Sequence, residues 1–227
     1  MPGLESIEWL RVLGQDEWSE LRVQATRHEF ASGETIFAPT PDPHSVYLLE
    51  DGRARILRIS RSGDEVTLGY VLAGEVFGEL SGFGDYPRES FAVAGTRSVA
   101  WRIPVAVFRK LIVARSDIAA EIIRQMGDRM KRVEARVESF VFGDARSRLA
   151  AVLLELVEDF GRRDGDRYVI DLGLSQGELA TSIGATRQTV NAAMSGFKED
   201  GVLRADGRRT EILDIERLRR IGSSEGG

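Results

Sequence analysis

The sequence of 227 residues contains no cysteine and only two histidines, His28 and His44. Without cysteine the chain can form no disulfide, no thiolate zinc site and no cysteine-held iron–sulfur cluster, and it has no cysteine nucleophile. Two isolated histidines also offer little for a multi-histidine metal centre or a histidine-dependent catalytic triad. We therefore expect neither a metal site nor an enzyme.

Long apolar segments are lacking as well. The longest, such as residues 149–156, fall well short of the roughly 20 residues that a membrane-spanning helix needs. The first five residues do not have the basic-then-apolar pattern of a signal peptide. The composition, 42% hydrophobic and 30% charged, is typical of a folded soluble chain. We expect a cytoplasmic protein with no membrane partner.

The chain also has no excess of basic charge. Its formal net charge is −5, so the whole chain does not have the electrostatic signature of a nucleic-acid-binding protein. Residues 186–220 carry eight basic and six acidic side chains. Any affinity for DNA must therefore come from the local placement of arginines.

Residues 27–112 have the pattern of an antiparallel β domain. Short segments of alternating polarity are separated by glycine or Asx turns about every ten residues, which is typical of a sandwich or barrel-like roll. Asp51-Gly52 and Ser62-Gly63 predict hairpin turns. Residues 1–25 carry apolar side chains on a helical period instead, so a helical segment is predicted to precede the β domain.

A long helix is predicted at residues 116–142. Six apolar residues in it step by three and four, which is the spacing of a two-stranded coiled coil. They are Ile123, Met126, Met130, Val133, Val137 and Phe140. This stripe predicts a homodimer interface, and the alternative is that the helix packs on the β domain of its own chain.

Beyond a polar segment at 161–166, which predicts a loop, the sequence has the pattern of a helix-turn-helix motif. Ser175 and Glu178 form a capping box that starts a short helix. Gly184 supplies a tight turn, and Thr186 can cap a second helix.

The first residues of the second helix of such a motif enter the major groove of DNA. Here they are Arg187, Gln188 and Asn191, whose side chains suit bidentate hydrogen bonds to guanine and adenine edges. Thr186 and Thr189 can bind phosphate through their hydroxyls and the amides at the helix N-terminus. The alternative is an ordinary helical hairpin with solvated polar residues.

A β-hairpin is predicted after the second helix. Residues 201–204 and 210–213 read as two strands joined by a turn at Asp206-Gly207. Arg208 and Arg209 on this hairpin can contact the DNA backbone. The arrangement is that of a winged helix-turn-helix.

Three linked pieces of the sequence resemble the Crp–Fnr family, the bacterial transcription regulators related to the cyclic-AMP receptor protein. Residues 77–81, followed by Arg88, resemble the family's phosphate-binding cassette, and residues 116–142 resemble its dimerising helix. Residues 186–190, Thr-Arg-Gln-Thr-Val, resemble its recognition helix, which in many members reads Ser/Thr-Arg-Glu-Thr-Val. The resemblance runs from about residue 20 to 220.

The resemblance implies an α+β fold in three parts. These are an N-terminal antiparallel β-roll similar to cyclic-nucleotide-binding domains (residues 1–115), a dimerisation helix (116–142) and a C-terminal winged helix-turn-helix (143–227). The implied function is that of a homodimeric transcription regulator that binds an inverted repeat in double-stranded DNA, with RNA polymerase as a partner. Because Gln188 replaces the family's common glutamate, we expect the middle of the DNA half-site to differ from the usual one.

The resemblance also implies a small effector in the β-roll, with a cyclic nucleotide as the candidate cofactor. Arg88 would bind the cyclic phosphate and Glu79 the ribose hydroxyl. Backbone amides of Gly78, Leu80 and Ser81 would complete the phosphate site.

Three residues differ from those of the cyclic-AMP-binding relatives. Glu89 stands where they have Ser or Thr, and its carboxylate would repel phosphate and compete for Arg88, although Ser90 would supply a hydroxyl if the loop register shifts by one. Val133 and Glu134 replace hydroxyl and amide side chains that meet the adenine. These differences argue against cyclic AMP as the effector.

The residues are compatible with several alternatives. Glu79 and Arg88 would pair with each other if their role were only to hold the β-roll. The regulator would then act without an effector. A nucleotide other than cyclic AMP as the effector is also compatible with these residues. A cyclic-nucleotide-sensing module without DNA binding is a further alternative, but it leaves the helix-turn-helix pattern unexplained.

Overall fold

The computed structural model describes residues 3–41, 43–84, 86–206 and 209–223. The chain divides into two compact units. Residues 1–63 and 68–129 form the first, and residues 64–67 and 130–227 form the second. The division falls within the long helix, so this helix contributes to both units.

The first unit combines helices with two β-sheets. It begins with two 3-10 turns (Leu4–Ser6 and Glu8–Val12), and its helices are α1 (Gln15–Gln24), α2 (Leu80–Phe83), α3 (Val105–Ala114) and the first half of α4 (Ser116–Phe142). Its strands are β1 (Thr26–Phe30), β2 (Thr35–Phe37), β3 (Ser45–Asp51), β4 (Arg53–Ile59), β5 (Glu65–Leu72), β6 (Val76–Phe77), β7 (Phe91–Ala94) and β8 (Ser98–Pro104). They form two four-stranded sheets, in the orders β1-β8-β3-β6 and β2-β7-β4-β5.

Strand β3 is buried on both faces, and this places it between two apolar clusters. Because side chains alternate across a strand, Val46 and Leu48 join one cluster while Tyr47 and Leu49 join the other. The first cluster includes apolar residues of α1, α3 and α4. The second fills the space between the sheets and contains Phe77, which is fully buried beside the candidate effector cassette.

The second unit contains the rest of α4 and a small sheet surrounded by helices. Its other helices are α5 (Ala145–Phe160), α6 (Gln176–Ile183), α7 (Arg187–Glu199) and α8 (Ile215–Gly222). Its strands are β9 (Arg162–Asp164), β10 (Arg167–Asp171), β11 (Leu203–Asp206) and β12 (Arg209–Ile212), paired antiparallel in the order β11-β12-β10-β9. The core is formed by buried residues of the helices and the sheet, including Leu149, Leu153, Val190, Phe197 and Ile212.

The predicted fold class is confirmed, since an antiparallel β domain, a long helix over 116–142 and a helix-turn-helix with a β-hairpin follow one another along the chain. Ser62-Gly63 lies between β4 and β5, which are neighbours in one sheet, as predicted. The hairpin predicted at Asp51-Gly52 is wrong. There the chain passes from β3 in one sheet to β4 in the other.

After the last strand of the first unit, residues 105–114 form helix α3, which packs the apolar residues Val107, Phe108 and Leu111 into the core. One other local prediction is wrong. The segment 161–166, predicted as a loop, contains β9 and the turn that joins it to β10. A strand made only of polar residues lacks the alternation of apolar and polar side chains, so the sequence does not reveal it as a strand.

None of the helices in the described residues is both long enough and apolar enough to cross a bilayer. Within the same residues, no three or more histidine, aspartate or glutamate side chains are grouped so that they could hold a metal ion.

Candidate DNA-binding and effector sites

The helix-turn-helix begins with the reciprocal capping box that the sequence predicts. The Glu178 amide donates to Ser175 Oγ at 3.1 Å, and the Ser175 amide donates to Glu178 Oε2 at 2.9 Å. Both bonds satisfy amides that the first turn of a helix leaves free. Helix α6 then buries Leu179 and Ile183.

The turn between α6 and α7 depends on Gly184, which ends α6 in the left-handed conformation with φ +58°. A Cβ there would lie 2.9 Å from Cε1 of Phe140, so the end of α4 and the turn are in close contact. Thr186 caps α7 by accepting a hydrogen bond from the Thr189 amide at 3.1 Å, and the two threonine hydroxyls are 2.9 Å apart. The start of α7 is therefore fixed by the Thr186 cap, and the turn before it is fixed by its contact with Phe140.

The candidate DNA-reading residues lie together at this capped end. Arg187, Gln188 and Asn191 are exposed, while Thr189 is half-buried. No residue of the described part of the chain accepts a hydrogen bond from the Arg187 guanidinium, so its donors are available to a ligand. Buried residues on the opposite face of α7, Val190, Met194 and Phe197, fix the helix to its unit.

The wing is present as the hairpin of β11 and β12, and Arg208 at its turn lies outside the described residues. Arg209 forms an ion pair with Glu211 Oε1 at 3.0 Å, and Glu211 also binds Arg167 at 3.1 Å. Arg209 is thus half-exposed but partly neutralised. Residues two apart on a strand face the same side, so the spacing of Arg209 and Glu211 within the predicted hairpin was a sign of this pair that the sequence analysis did not use.

Arg148 connects the end of α4 to the helix-turn-helix. Its Nη1 donates to the Gly143 carbonyl at 2.9 Å and its Nε to the Ile183 carbonyl at 3.0 Å, while its guanidinium lies 5.3 Å from the Phe140 ring centre. Nearby, Asp144 caps α5 by accepting from the Ser147 amide at 2.7 Å, and this bond lowers the pKa of the carboxyl group. The corner at Gly143-Asp144, between α4 and α5, is therefore held by hydrogen bonds within the second unit.

In the candidate effector cassette, Glu79 is buried and bound by Arg129 of α4. Arg129 Nη1 donates to Glu79 Oε1 at 2.8 Å, and Nη2 donates to the Val76 carbonyl at 2.8 Å. Among the described residues, Arg129 Nε has no hydrogen-bond partner. Sequence analysis missed Arg129 as a cassette residue; its position one helical turn before Val133 was the available signal.

Arg88 is also buried, and its guanidinium lies against two aromatic rings. Nη2 donates to the carbonyls of Ser45 at 2.6 Å and Gly78 at 3.1 Å, and the guanidinium carbon is 4.2 Å from the Phe37 ring centre and 5.6 Å from that of Tyr47. Burial lowers the pKa of Arg88, partly offset by Tyr47. Its Nε finds no acceptor among the described residues, and a buried guanidinium with a free donor suits an anionic ligand.

The two carboxylates of the cassette both bind arginines other than Arg88. Glu79 binds Arg129, so the alternative in which Glu79 pairs with Arg88 is wrong. Glu89 forms an ion pair with Arg58 and its side chain is exposed, so it does not compete for Arg88 as the sequence suggested. Strand β4 supplies Arg58, and the sequence separation of 31 residues hid this partner.

The remaining cassette residues lie around the short helix α2. Gly78 has φ +73° immediately before Glu79, and Leu80 is exposed. Ser90 is half-buried, and the side chain of Ser81 lies outside the described part of the structure. Val133 and Glu134 belong to the second unit and are exposed on α4.

All six residues of the predicted dimer stripe are exposed. Their exposed fractions range from 37% for Met126 to 68% for Ile123. The opposite face of α4 is buried instead, through Ile118, Ile122 and Gln125. The stripe and the buried residues therefore lie on different faces of α4.

Comparisons with known proteins agree with this architecture. A cyclic nucleotide-binding domain matches residues 27–115, and a Crp-like helix-turn-helix domain matches residues 147–221. The chain is 32% identical over 192 residues to a CRP-like cAMP-activated global transcriptional regulator of Mycobacterium tuberculosis, covering 85% of this chain and 86% of that protein. It is 31% identical over 188 residues to the global nitrogen regulator of Synechococcus elongatus, covering 82% and 85%.

A solved structure of a transcriptional regulator from Thermus thermophilus, described as CRP/FNR family, has the same fold. It superposes with a TM-score of 0.72 at 24% identity, over 88% of this chain and all of that one (100%).

Proposed function

Because the chain belongs to the CRP/FNR family of DNA-binding transcription regulators, we propose that it acts as a cytoplasmic homodimer that reads an inverted repeat. The observation that carries the proposal is the capped start of α7, where Arg187, Gln188 and Asn191 are exposed side by side. No catalytic role is assigned to any residue.

Each recognition helix would read one half-site. Arg187 would bind a guanine through its two free donor edges, and Gln188 and Asn191 would bind adenine edges. The hydroxyls of Thr186 and Thr189 already bond each other, so their phosphate contacts would come from backbone amides at the helix N-terminus. Arg209, with Arg208, would add contacts to the backbone outside the groove.

The exposed stripe on α4 supports the dimer. Heptad-spaced apolar residues exposed on a 27-residue helix are what a second copy of the same helix would cover. Two recognition helices about 34 Å apart would then face one side of the duplex, and the operator would be an inverted repeat. RNA polymerase is the expected partner at a promoter.

Selection of bound sequences from a random DNA pool tests this function. We expect a palindromic consensus with one guanine in each half-site that depends on Arg187. Arg187→Ala should cost about 1–3 kcal/mol of binding free energy and relax that position alone. Lys198→Ala, which removes a positive charge from the other end of α7, is the matched control and should leave the consensus unchanged. A consensus without symmetry, or no enrichment, would contradict the proposal.

We further propose that the β-roll binds a small anionic effector at Arg88, with the cyclic nucleotide as the reference class. Supporting observations are the burial of Arg88, its Nε without a partner among the described residues, and the left-handed Gly78 beside it. Glu79 would accept from a ribose hydroxyl once Arg129 is displaced or shared. Ser90 and the amides of Leu80 and Ser81 would complete the site.

An effector-independent regulator is the second candidate, and one observation favours it. Arg88 and Glu79 both already have protein partners, so the cassette is largely satisfied without a ligand. Calorimetric titration with cyclic AMP and cyclic GMP separates the two. A heat of binding that disappears in Arg88→Lys, while thermal stability is unchanged, supports an effector. If neither nucleotide gives a heat of binding and the protein still binds DNA fully, the effector-independent regulator is supported.

A further inference from the structure

Gly177, in the first turn of α6, lies against the guanidinium of Arg187. A Cβ added to Gly177 would be 3.0 Å from Nη2, 3.1 Å from Nε and 3.3 Å from Cζ of Arg187. These three distances mean that the guanidinium rests on the bare backbone of α6. Each is shorter than an ordinary van der Waals contact, so a side chain at residue 177 would have to move Arg187.

The backbone of Gly177 gives no reason for glycine. Residue 177 is part of a regular α-helix and is absent from the glycines with positive φ. Glycine is among the weakest helix formers, and here it stands inside a capping box that otherwise stabilises the helix start. The structure provides another role for glycine at this position, which is to leave space for the Arg187 side chain.

The contact orients Arg187 without using its hydrogen-bond donors. Within the part of the chain that the structure describes, nothing accepts a hydrogen bond from this guanidinium, and the residue is exposed. A long exposed side chain ordinarily has many rotamers, and losing them on binding costs free energy. A guanidinium that rests against α6 has fewer rotamers while all its donors stay free.

We propose that Gly177 is a specificity-determining position of the DNA-binding unit, because it leaves the space in which Arg187 is oriented toward its base. This rests on the proposed function, in which Arg187 reads a guanine. Gly177 itself touches no base; it is a positioning residue that acts through Arg187. Bidentate recognition requires placement to within about 0.5 Å, so even a small displacement of the guanidinium weakens it.

The test measures binding of the full-length protein to the selected operator and to an operator whose Arg187-dependent guanine is changed in both half-sites. Gly177→Ala should lower the preference for the guanine about twofold, and Gly177→Leu should lower it about tenfold or more. Neither variant should be less stable to heat through its helix propensity, since alanine and leucine both favour the helix over glycine. Preference at the other operator positions should not change.

Gly196→Ala is the matched control. This glycine is also helical, and an added Cβ would also meet a guanidinium, that of Arg146 at 3.3 Å. Arg146 is held by an ion pair with Asp200 and lies away from the start of α7. Gly196→Ala should therefore leave the guanine preference unchanged.

The double variant Gly177→Leu/Arg187→Ala separates this inference from the function on which it rests. If Gly177 acts through Arg187, leucine should have no further effect on guanine preference once Arg187 is alanine. An equal effect of leucine in both backgrounds, or an unchanged guanine preference in Gly177→Leu, would overturn the inference. If Arg187→Ala alone leaves the preference intact, it is the proposed function that fails.

Discussion

Arg129 Nη1 donates a hydrogen bond to Glu79 Oε1 at 2.8 Å across 50 residues of sequence. Glu79 is buried in the cassette after β6, and Arg129 projects from the middle of α4. The same arginine also binds the Val76 carbonyl. The long helix is thereby joined to the cassette by an ion pair and a backbone hydrogen bond.

Removing Arg129 should destabilise the first unit. Arg129→Met leaves the Glu79 carboxylate buried without its cation, and we expect a loss of roughly 2–4 kcal/mol in the free energy of unfolding. The double variant Glu79→Gln/Arg129→Met should recover at least half of this, because the buried charge is gone. Urea unfolding measures both, and a single variant as stable as the parent would contradict the pairing.

The apolar stripe on α4 should control the oligomeric state. Met130→Glu/Val137→Glu places two carboxylates in the proposed seam and should convert the dimer to a monomer in sedimentation velocity. Ala135→Glu introduces the same side chain at an exposed position outside the stripe and should leave the dimer intact. If Ala135→Glu dissociates the dimer, or the double variant does not, a different face of the chain forms the interface.

A side chain at Gly184 should destabilise the second unit. Gly184→Ala combines the cost of a left-handed conformation, about 1–2 kcal/mol, with a Cβ only 2.9 Å from the Phe140 ring. In the background of Phe140→Leu the same substitution should cost less, since only the conformational part remains. Thermal unfolding of the four proteins gives the coupling, and an equal cost in both backgrounds would show that the ring contact is unimportant.

The start of α4 should depend on pH through Asp117. The hydrogen bonds from Arg115 are the main cause that lowers the pKa of Asp117 from its ordinary 3.8 to about 2, helped by the amide of Ile118. Because the pKa is lower in the folded state, this pair stabilises the fold above about pH 3.8, and the contribution is lost as the pH falls toward 2.

Stability measured across this range for Asp117→Asn tests the assignment. The difference from the parent should be constant above about pH 4.5 and should shrink as the pH approaches 2. Arg115→Gln should remove the same pH-dependent part. A difference that does not change with pH would show that Asp117 has no altered pKa.

The sequence predicted the parts of the structure that depend on neighbouring residues. The capping box of Ser175 and Glu178, the cap at Thr186 and the turn at Gly184 each involve residues three to five apart, so the spacing alone identifies them. The heptad stripe of α4 also depends only on spacing along the chain, because residues three and four apart lie on the same face of a helix.

Local patterns were misleading where two interpretations share one pattern. An Asx-Gly pair predicts a tight hairpin, but at Asp51-Gly52 it forms a corner between two sheets, since β3 lies between β8 and β6 in one sheet while β4 lies between β7 and β5 in the other.

The sequence by itself determined the long helix, the helix caps and the composition of the candidate DNA-reading end. Only the tertiary structure decided which charges pair. It joined Glu79 to Arg129 and Glu89 to Arg58. Partners of a charged side chain depend on distance in space and on burial, and neither quantity is carried by spacing along the chain.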